Sequence, residues 1–140
     1  MPAYVVDASV AVKWVLMEAD SAAARALLQP EFALSAPEFI LAEVGNVLWK
    51  RLRRGEIGQD SAEAAVEAML SRPLTLHSSG ALLSHALNLA VETGRTVYDS
   101  LYLALAIDLE TPLITADQRF YNAVRGTRFG ASLQWIEDEL

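Results

Sequence analysis

The sequence predicts an α/β sandwich, a mainly parallel sheet of about five strands covered on both faces by helices. Two patterns predict it. Short apolar runs, suited to strands buried on both faces, recur along the whole chain, and segments of helical periodicity separate each run from the next. The hydrophobic fraction of 53% and mean hydropathy of +0.24 supply enough apolar surface to cover both faces of such a sheet.

The elements follow in order. Tyr4–Val6 reads as the first strand, ending at Asp7, and is followed by helical segments Val10–Leu16 and Ser21–Leu28. Phe32–Leu34 is the second strand; Ser35-Ala36-Pro37-Glu38 then has capping-box spacing before a helix over Glu38–Arg54, which Gly55 stops. Asp60-Ser61-Ala62-Glu63 has the same spacing before Ala62–Leu70. Leu74–Leu76 reads as the third strand and Leu82–Glu92 as the next helix, closed by Gly94. Thr96-Val97-Tyr98-Asp99 opens a helix over Asp99–Glu110, Leu113–Thr115 is the fourth strand, Gln118–Val124 a short helix and Leu133–Trp135 the last strand.

The length of 140 residues implies one domain, 1–140, with no repeat or linker. Eleven Lys and Arg against eighteen Asp and Glu give a formal charge of −7, which argues against coating nucleic acid by bulk charge. The absence of cysteine excludes disulfides, a thiolate nucleophile and Cys-ligated metals, and fits a cytoplasmic location. The first residues lack the basic region of a secretory signal, and the apolar run Leu101–Ile107 is far short of the ~20 residues of a membrane span, so no membrane association is expected.

In open α/β sheets ligands bind beyond the carboxyl ends of the strands. Asp7 follows the first strand and Asp117 the fourth, so both face one crevice if those strands are neighbours. Asp99 opens a helix that is apolar almost all round. Taken singly, each of these acids also reads as a helix cap. Glu43 lies on the flank of its helix with Phe39, Asn46 and Lys50, at the margin of a core face formed by Ile40, Leu41, Val44, Val47, Leu48 and Leu52. A solvated flank is the ordinary account of that stripe; a metal-facing Glu43 with Asn46 as a second polar anchor is the other. Four carboxylates in one pocket repel one another unless a cation neutralises them. With no Cys and two scattered His, oxygen-preferring Mg²⁺ or Mn²⁺ suits the donor set, and such ions serve phosphodiester chemistry by activating water and stabilising charge on the leaving oxygen.

Asp7-Ala8-Ser9, Glu43-Val44-Gly45-Asn46, Tyr98-Asp99-Ser100 and Thr115-Ala116-Asp117, in that order and approximate spacing, resemble the motifs of the PIN-domain ribonucleases, specifically the VapC-type toxins of toxin–antitoxin modules. The resemblance covers essentially the whole chain. It implies a PIN-like three-layer sandwich in which Asp7, Glu43, Asp99 and Asp117 bind Mg²⁺ or Mn²⁺, with Ser9, Asn46 and Thr115 as polar supports. It also implies endoribonuclease activity on RNA, a homodimer, and neutralisation by a small cognate antitoxin.

Lys50, Arg51, Arg53 and Arg54 place four of the eleven basic residues within five positions. They read either as cations complementing a helix C-terminus or as a rim that grips RNA phosphates beside the acidic pocket. Arg119, Arg125 and Arg128, near Phe120 and Tyr121, form a second candidate rim, although core and surface roles suit those aromatics better. His77 and His85 lie outside the motifs and read as structural; Trp14, Trp49 and Trp135 read as core or dimer anchors. The Ala-rich helices Ser21–Leu28 and Ala62–Leu70 carry apolar stripes that suit either the core or a docked partner.

Three other readings suit a domain of this architecture. A receiver-like Mg²⁺-binding phosphoacceptor domain needs paired acids after the first strand, an Asp after the third and a late Lys; this chain has a lone Asp7, Leu76-His77, and no lysine beyond Lys50. A phosphatase of the haloacid-dehalogenase type needs an Asp where Ser9 stands. A non-catalytic interaction domain leaves the four acids as unrelated caps. Excluding the four acids, fourteen remain against eleven bases, so the distribution of charge outweighs its sum.

Overall fold

The computed structural model describes residues 2–140. Its strands are β1 (Ala3–Val6), β2 (Ala33–Pro37), β3 (Leu74–His77), β4 (Leu113–Thr115) and β5 (Leu133–Trp135). The helices are α1 (Ala8–Val15), α2 (Ser21–Ala26), α3 (Ile40–Arg53), α4 (Gln59–Leu70), α5 (Ser79–Thr93), α6 (Val97–Leu109) and α7 (Gln118–Arg125), with a short 3₁₀ turn at Gly130–Ser132. All five strands pair in parallel, in the order β3-β2-β1-β4-β5.

That order makes the two-faced packing inevitable. The chain runs outward from β1 through β2 to β3, then returns across the sheet to β4 and β5. Right-handed crossovers therefore put α1 to α4 on one face and α5, α6 and α7 on the other. The order reverses between β1 and β4, where Val5 pairs with Leu113 and Val6 with Ile114, all four essentially buried. Helix α6 lies along β1, β2 and β4 with α5 beside it, and every residue from Ser100 to Ala106 is buried, which accounts for its unbroken apolar composition. Edge strand β3 leaves Thr75 and Leu76 exposed.

Some helix ends follow local chemistry, and two of the caps that the sequence predicts do not form. Thr96 caps α6 by accepting from the Asp99 amide, and Gly94 closes α5 in the left-handed conformation, at φ 75°, that glycine adopts without penalty. Ser35 and Asp60, however, cap nothing. Ser35 is paired inside β2 between Val5 and Thr75, so α3 begins only at Ile40, without a side-chain cap. Gly58 precedes α4, leaving Asp60 within its first turn, where an acid suits the positive helix end. Helix α5 starts earlier than periodicity predicts because Ser78 caps it. Trp14 is core, its indole N–H donating to the Ala24 carbonyl at 2.8 Å, whereas Trp49 is exposed beneath Arg53.

Candidate active site

Because β1 and β4 are adjacent, the turns that leave them deliver Asp7 and Asp117 to the same crevice. Each acid caps the helix that follows. Asp7 Oδ1 accepts from the Val10 amide at 3.3 Å, and Asp117 Oδ1 from the Arg119 and Phe120 amides at 3.0 and 3.2 Å. Asp7 is 5% exposed, and its remaining partners are hydroxyls: Ser9 donates to Oδ1 at 2.5 Å and Thr115 to Oδ2 at 2.5 Å. Ser9 Oγ also accepts from the Ala116 amide, tying the start of α1 to the end of β4.

The other two acids arrive from helices on opposite faces of the sheet. Glu43, half-buried in the first turn of α3, accepts from the Tyr102 phenol of α6 at 2.5 Å. Asp99, half-buried at the start of α6, holds the Arg95 guanidinium through Nε and Nη2 at 3.2 and 2.9 Å, and Arg95 also lies over the Phe120 ring. Asn46 and Lys50, which the sequence aligns with Glu43, are exposed. Three residues of helix rotate Asn46 about 60° from Glu43, enough to turn it outward once Ile40, Val44 and Leu48 face the core. Phe39, just before α3, stacks on Tyr98, the neighbour of Asp99, at 5.1 Å.

Burial and mutual repulsion govern the electrostatics. Burial pushes Asp7 up to about 7 despite its three hydrogen bonds, and Asp117 adds to the shift. Burial raises Glu43, with Tyr102 opposing and Asp99 reinforcing. It raises Asp99 too, against the Arg95 hydrogen bond and charge, with Asp117 again adding. Burial and the neighbouring charges of Glu43, Asp7 and Asp99 hold the Tyr102 phenol firmly protonated. All four acids thus belong to one electrostatic unit, although among the described residues no three acids or histidines lie close enough to grip an ion together. Asp99 is drawn to Arg95 and Asp117 to its helix amides, so the quartet is spread around the crevice rather than converged.

A cleft of about 330 Å³ opens beside the acids, lined by Ser9, Lys13, Glu18, Glu43, Val47 and Ala116. The basic cluster divides: Lys50, Arg53 and Arg54 line a recess with Trp49, while Arg51 pairs with Glu18 and Glu56. Of the second candidate rim, Phe120 is buried and Arg128 pairs with Glu92, while Arg125 lies over the Tyr121 ring. His85 pairs with Asp108, and His77 ends β3, away from the motifs. Sequence reasoning passed over Tyr102, Arg95 and Lys13. The signals were available in the spacing: Tyr102 and Arg95 lie one turn to either side of Asp99, and Lys13 one turn after Ser9.

Fold and site define the class: a three-layer α/β protein with an acid-lined crevice where its parallel strand order reverses. The chain belongs to the PIN domain family, whose model matches residues 4–126. It is 37% identical over 118 residues to ribonuclease VapC3 of Pyrobaculum aerophilum, covering 82% of this chain and 89% of that protein. Among solved structures it resembles PAE2754 from the same organism (TM-score 0.69, 24% identity, 97% and 92% coverage). It also resembles a chain of VapBC2 from Rickettsia felis bound to a promoter DNA fragment (TM-score 0.61, 16% identity, 95% and 98% coverage).

Proposed function

We propose that this protein is a Mg²⁺- or Mn²⁺-dependent endoribonuclease acting as the toxin of a toxin–antitoxin pair. The observation that carries the reading is Asp7, a buried carboxylate whose partners are two hydroxyls and one amide, with no cation, in an electrostatic unit with three more acids. The donors are all oxygens, which suits a hard dication. Mg²⁺ usually takes one or two carboxylates directly and retains waters, so a dispersed quartet fits it better than a closed cage does. Asp7 and Asp117 at the strand ends, with Asp99 and Glu43 opposite, are the residues that would hold it.

Bound there, the ion supplies Lewis acidity toward a phosphate and makes water a stronger nucleophile at neutral pH. The chain's own residues do the positioning. Ser9 and Thr115 fix both Asp7 oxygens, Tyr102 orients Glu43, and Arg95 holds Asp99 until a dication competes for it. Asn46, exposed one turn from Glu43, remains a candidate contact for substrate rather than a support of the carboxylate. Lys50, Arg53 and Arg54 form an exposed basic recess suited to the backbone of an RNA substrate.

An antitoxin partner follows from the likeness to VapC3 and to a chain of a VapBC assembly. We place the homodimer face on α5, where Leu83, Leu87 and Val91 form an exposed apolar line at helical spacing, 54, 55 and 80% accessible. Among the described residues no helix is long and apolar enough to cross a membrane. The receiver-like alternative loses support because β3 ends at His77 rather than an acid. Incubation of labelled RNA with the protein tests the function: cleavage is expected with Mg²⁺ or Mn²⁺ and is lost with chelator or in Asp7→Asn. Cleavage that persists under either condition rejects the mechanism.

A further inference from the structure

We propose that Lys13 and Arg51 form a phosphate subsite at the mouth of the cleft, which the Glu18 carboxylate occupies in the free protein as a stand-in for an RNA phosphate. The proposal rests on the ribonuclease reading above and assigns the cations that bring substrate to the acids. Glu18 lies between α1 and α2, and its two oxygens face cations from different elements. Oε1 is 3.7 Å from Lys13 Nζ, and Oε2 accepts from the Arg51 guanidinium. A phosphodiester presents the same pattern: two terminal oxygens sharing one negative charge.

The position connects this pair to the acids. Lys13 stands one helical turn beyond Ser9, the residue that hydrogen-bonds Asp7, and both line the cleft with Glu43. Arg51 stands one turn beyond Val47, which lines the same cleft one turn beyond Glu43. Lys13 thus lines the cleft from α1, and Arg51 meets its Glu18 wall from α3. A phosphate bound between the two cations lies one turn beyond Ser9 along α1 and two turns beyond Glu43 along α3, where a neighbouring phosphate of the same strand would meet the acids. Without such cations, an acid-lined crevice repels the polyanion it must admit.

The pair is preorganised independently of Glu18. Lys13, with its side chain 13% exposed, also donates to the Ala19 carbonyl at 2.7 Å, and Arg51 retains Glu56 at 3.3 Å. Glu18 itself is tethered through its backbone, whose amide donates to Ser21 Oγ at 2.9 Å, so its side chain can withdraw without unfolding the loop. Partly exposed ion pairs contribute little net stability, which makes exchange of one anion for another inexpensive.

The test is the steady-state cleavage of a labelled single-stranded RNA by the full chain in Mn²⁺, across a KCl series. Glu18→Gln is expected to lower KM several-fold and Lys13→Gln to raise it several-fold, each with kcat within about twofold of wild type. Lys13→Gln should also reduce the salt slope of kcat/KM by about 0.7, the value for one lost contact to a single strand, while Lys13→Arg retains it. If Glu18 is only a structural tether, its variant lowers the melting temperature and leaves KM unchanged or higher. That outcome overturns the subsite and leaves the ribonuclease reading intact. Should Lys13→Gln fail to fold, the direction of the Glu18→Gln change decides. A wild-type protein that does not cleave RNA overturns both.

Discussion

Thr115 Oγ1 donates to Asp7 Oδ2 at 2.5 Å across the seam between β4 and β1, so the last residue of one strand fixes the acid that follows the other. The bond favours the ionised carboxylate against the burial that opposes it. Thr115→Val keeps the volume and removes the donor. The acid limb of the pH–rate profile for RNA cleavage is expected to move upward, with activity at pH 6 reduced about tenfold for a lost charge-assisted bond. An unmoved limb would mean that Asp7 ionisation does not govern the rate.

Asp7 should also make the fold more stable in acid. The folded protein retains the Asp7 proton up to about pH 7, whereas the unfolded chain releases it near 3.8. Its contribution to stability is therefore complete below pH 3.8 and is lost as pH rises through about 7. Asp7→Asn removes that dependence and should melt several degrees above wild type at pH 8, with a gain of about 1–3 kcal/mol, and match it near pH 4. Added Mn²⁺ should raise the melting temperature of wild type and not of the variant. Thermal scans at the two pH values, with and without metal, check both statements.

Arg95 supplies positive charge where a dication is needed. Its guanidinium holds Asp99 Oδ2 through two donors. Arg95→Gln is expected to increase Mn²⁺ affinity several-fold, because the ion no longer displaces a bound cation. Isothermal titration gives the answer directly, and weaker Mn²⁺ binding in the variant would show that Arg95 orients Asp99 for the metal rather than competing with it.

Much of this arrangement was legible in the chain. The five strands were marked by apolar runs, Asp7 and Asp117 by their positions after two of them and Asp99 by the helix start it occupies, because strand ends and helix starts have strong local signatures. Ser35 and Asp60 misled for the converse reason: each has the spacing of a cap, and strand pairing at Ser35 and Gly58 at the start of α4 took precedence. What stayed hidden was pairing between distant residues. Tyr102 meets Glu43 from 59 positions away and Glu18 meets Arg51 from 33, and nothing local distinguishes such residues from ordinary core or surface ones.

The apolar line on α5 predicts assembly. Leu83, Leu87 and Val91 are more than half exposed, an arrangement that a second copy of the same helix face can cover. Light scattering of the wild type should give twice 15.3 kDa, and Leu83→Glu with Leu87→Glu should give the monomer mass with an unchanged circular dichroism spectrum. A double variant that remains dimeric would place the interface elsewhere.

The basic end of α3 has two explanations that salt separates. Arg53 and Arg54 are exposed, line a recess with Lys50 and Trp49, and lie in the last turn of the helix or just past it. Cations there stabilise the negative helix end, typically by about 0.3–1 kcal/mol each. If that is their only role, Arg53→Ala with Arg54→Ala lowers the melting temperature by a few degrees and leaves RNA affinity unchanged at every ionic strength. If they grip the backbone, affinity falls most at low salt, and the slope of log K against log salt shrinks by about 1.4, since each phosphate contact to a single strand accounts for about 0.7. We expect the second result, because an acidic crevice on a chain of charge −7 needs a cationic approach, and Arg51, turned toward Glu18 and Glu56, leaves Lys50, Arg53 and Arg54 as the exposed cations of this cluster.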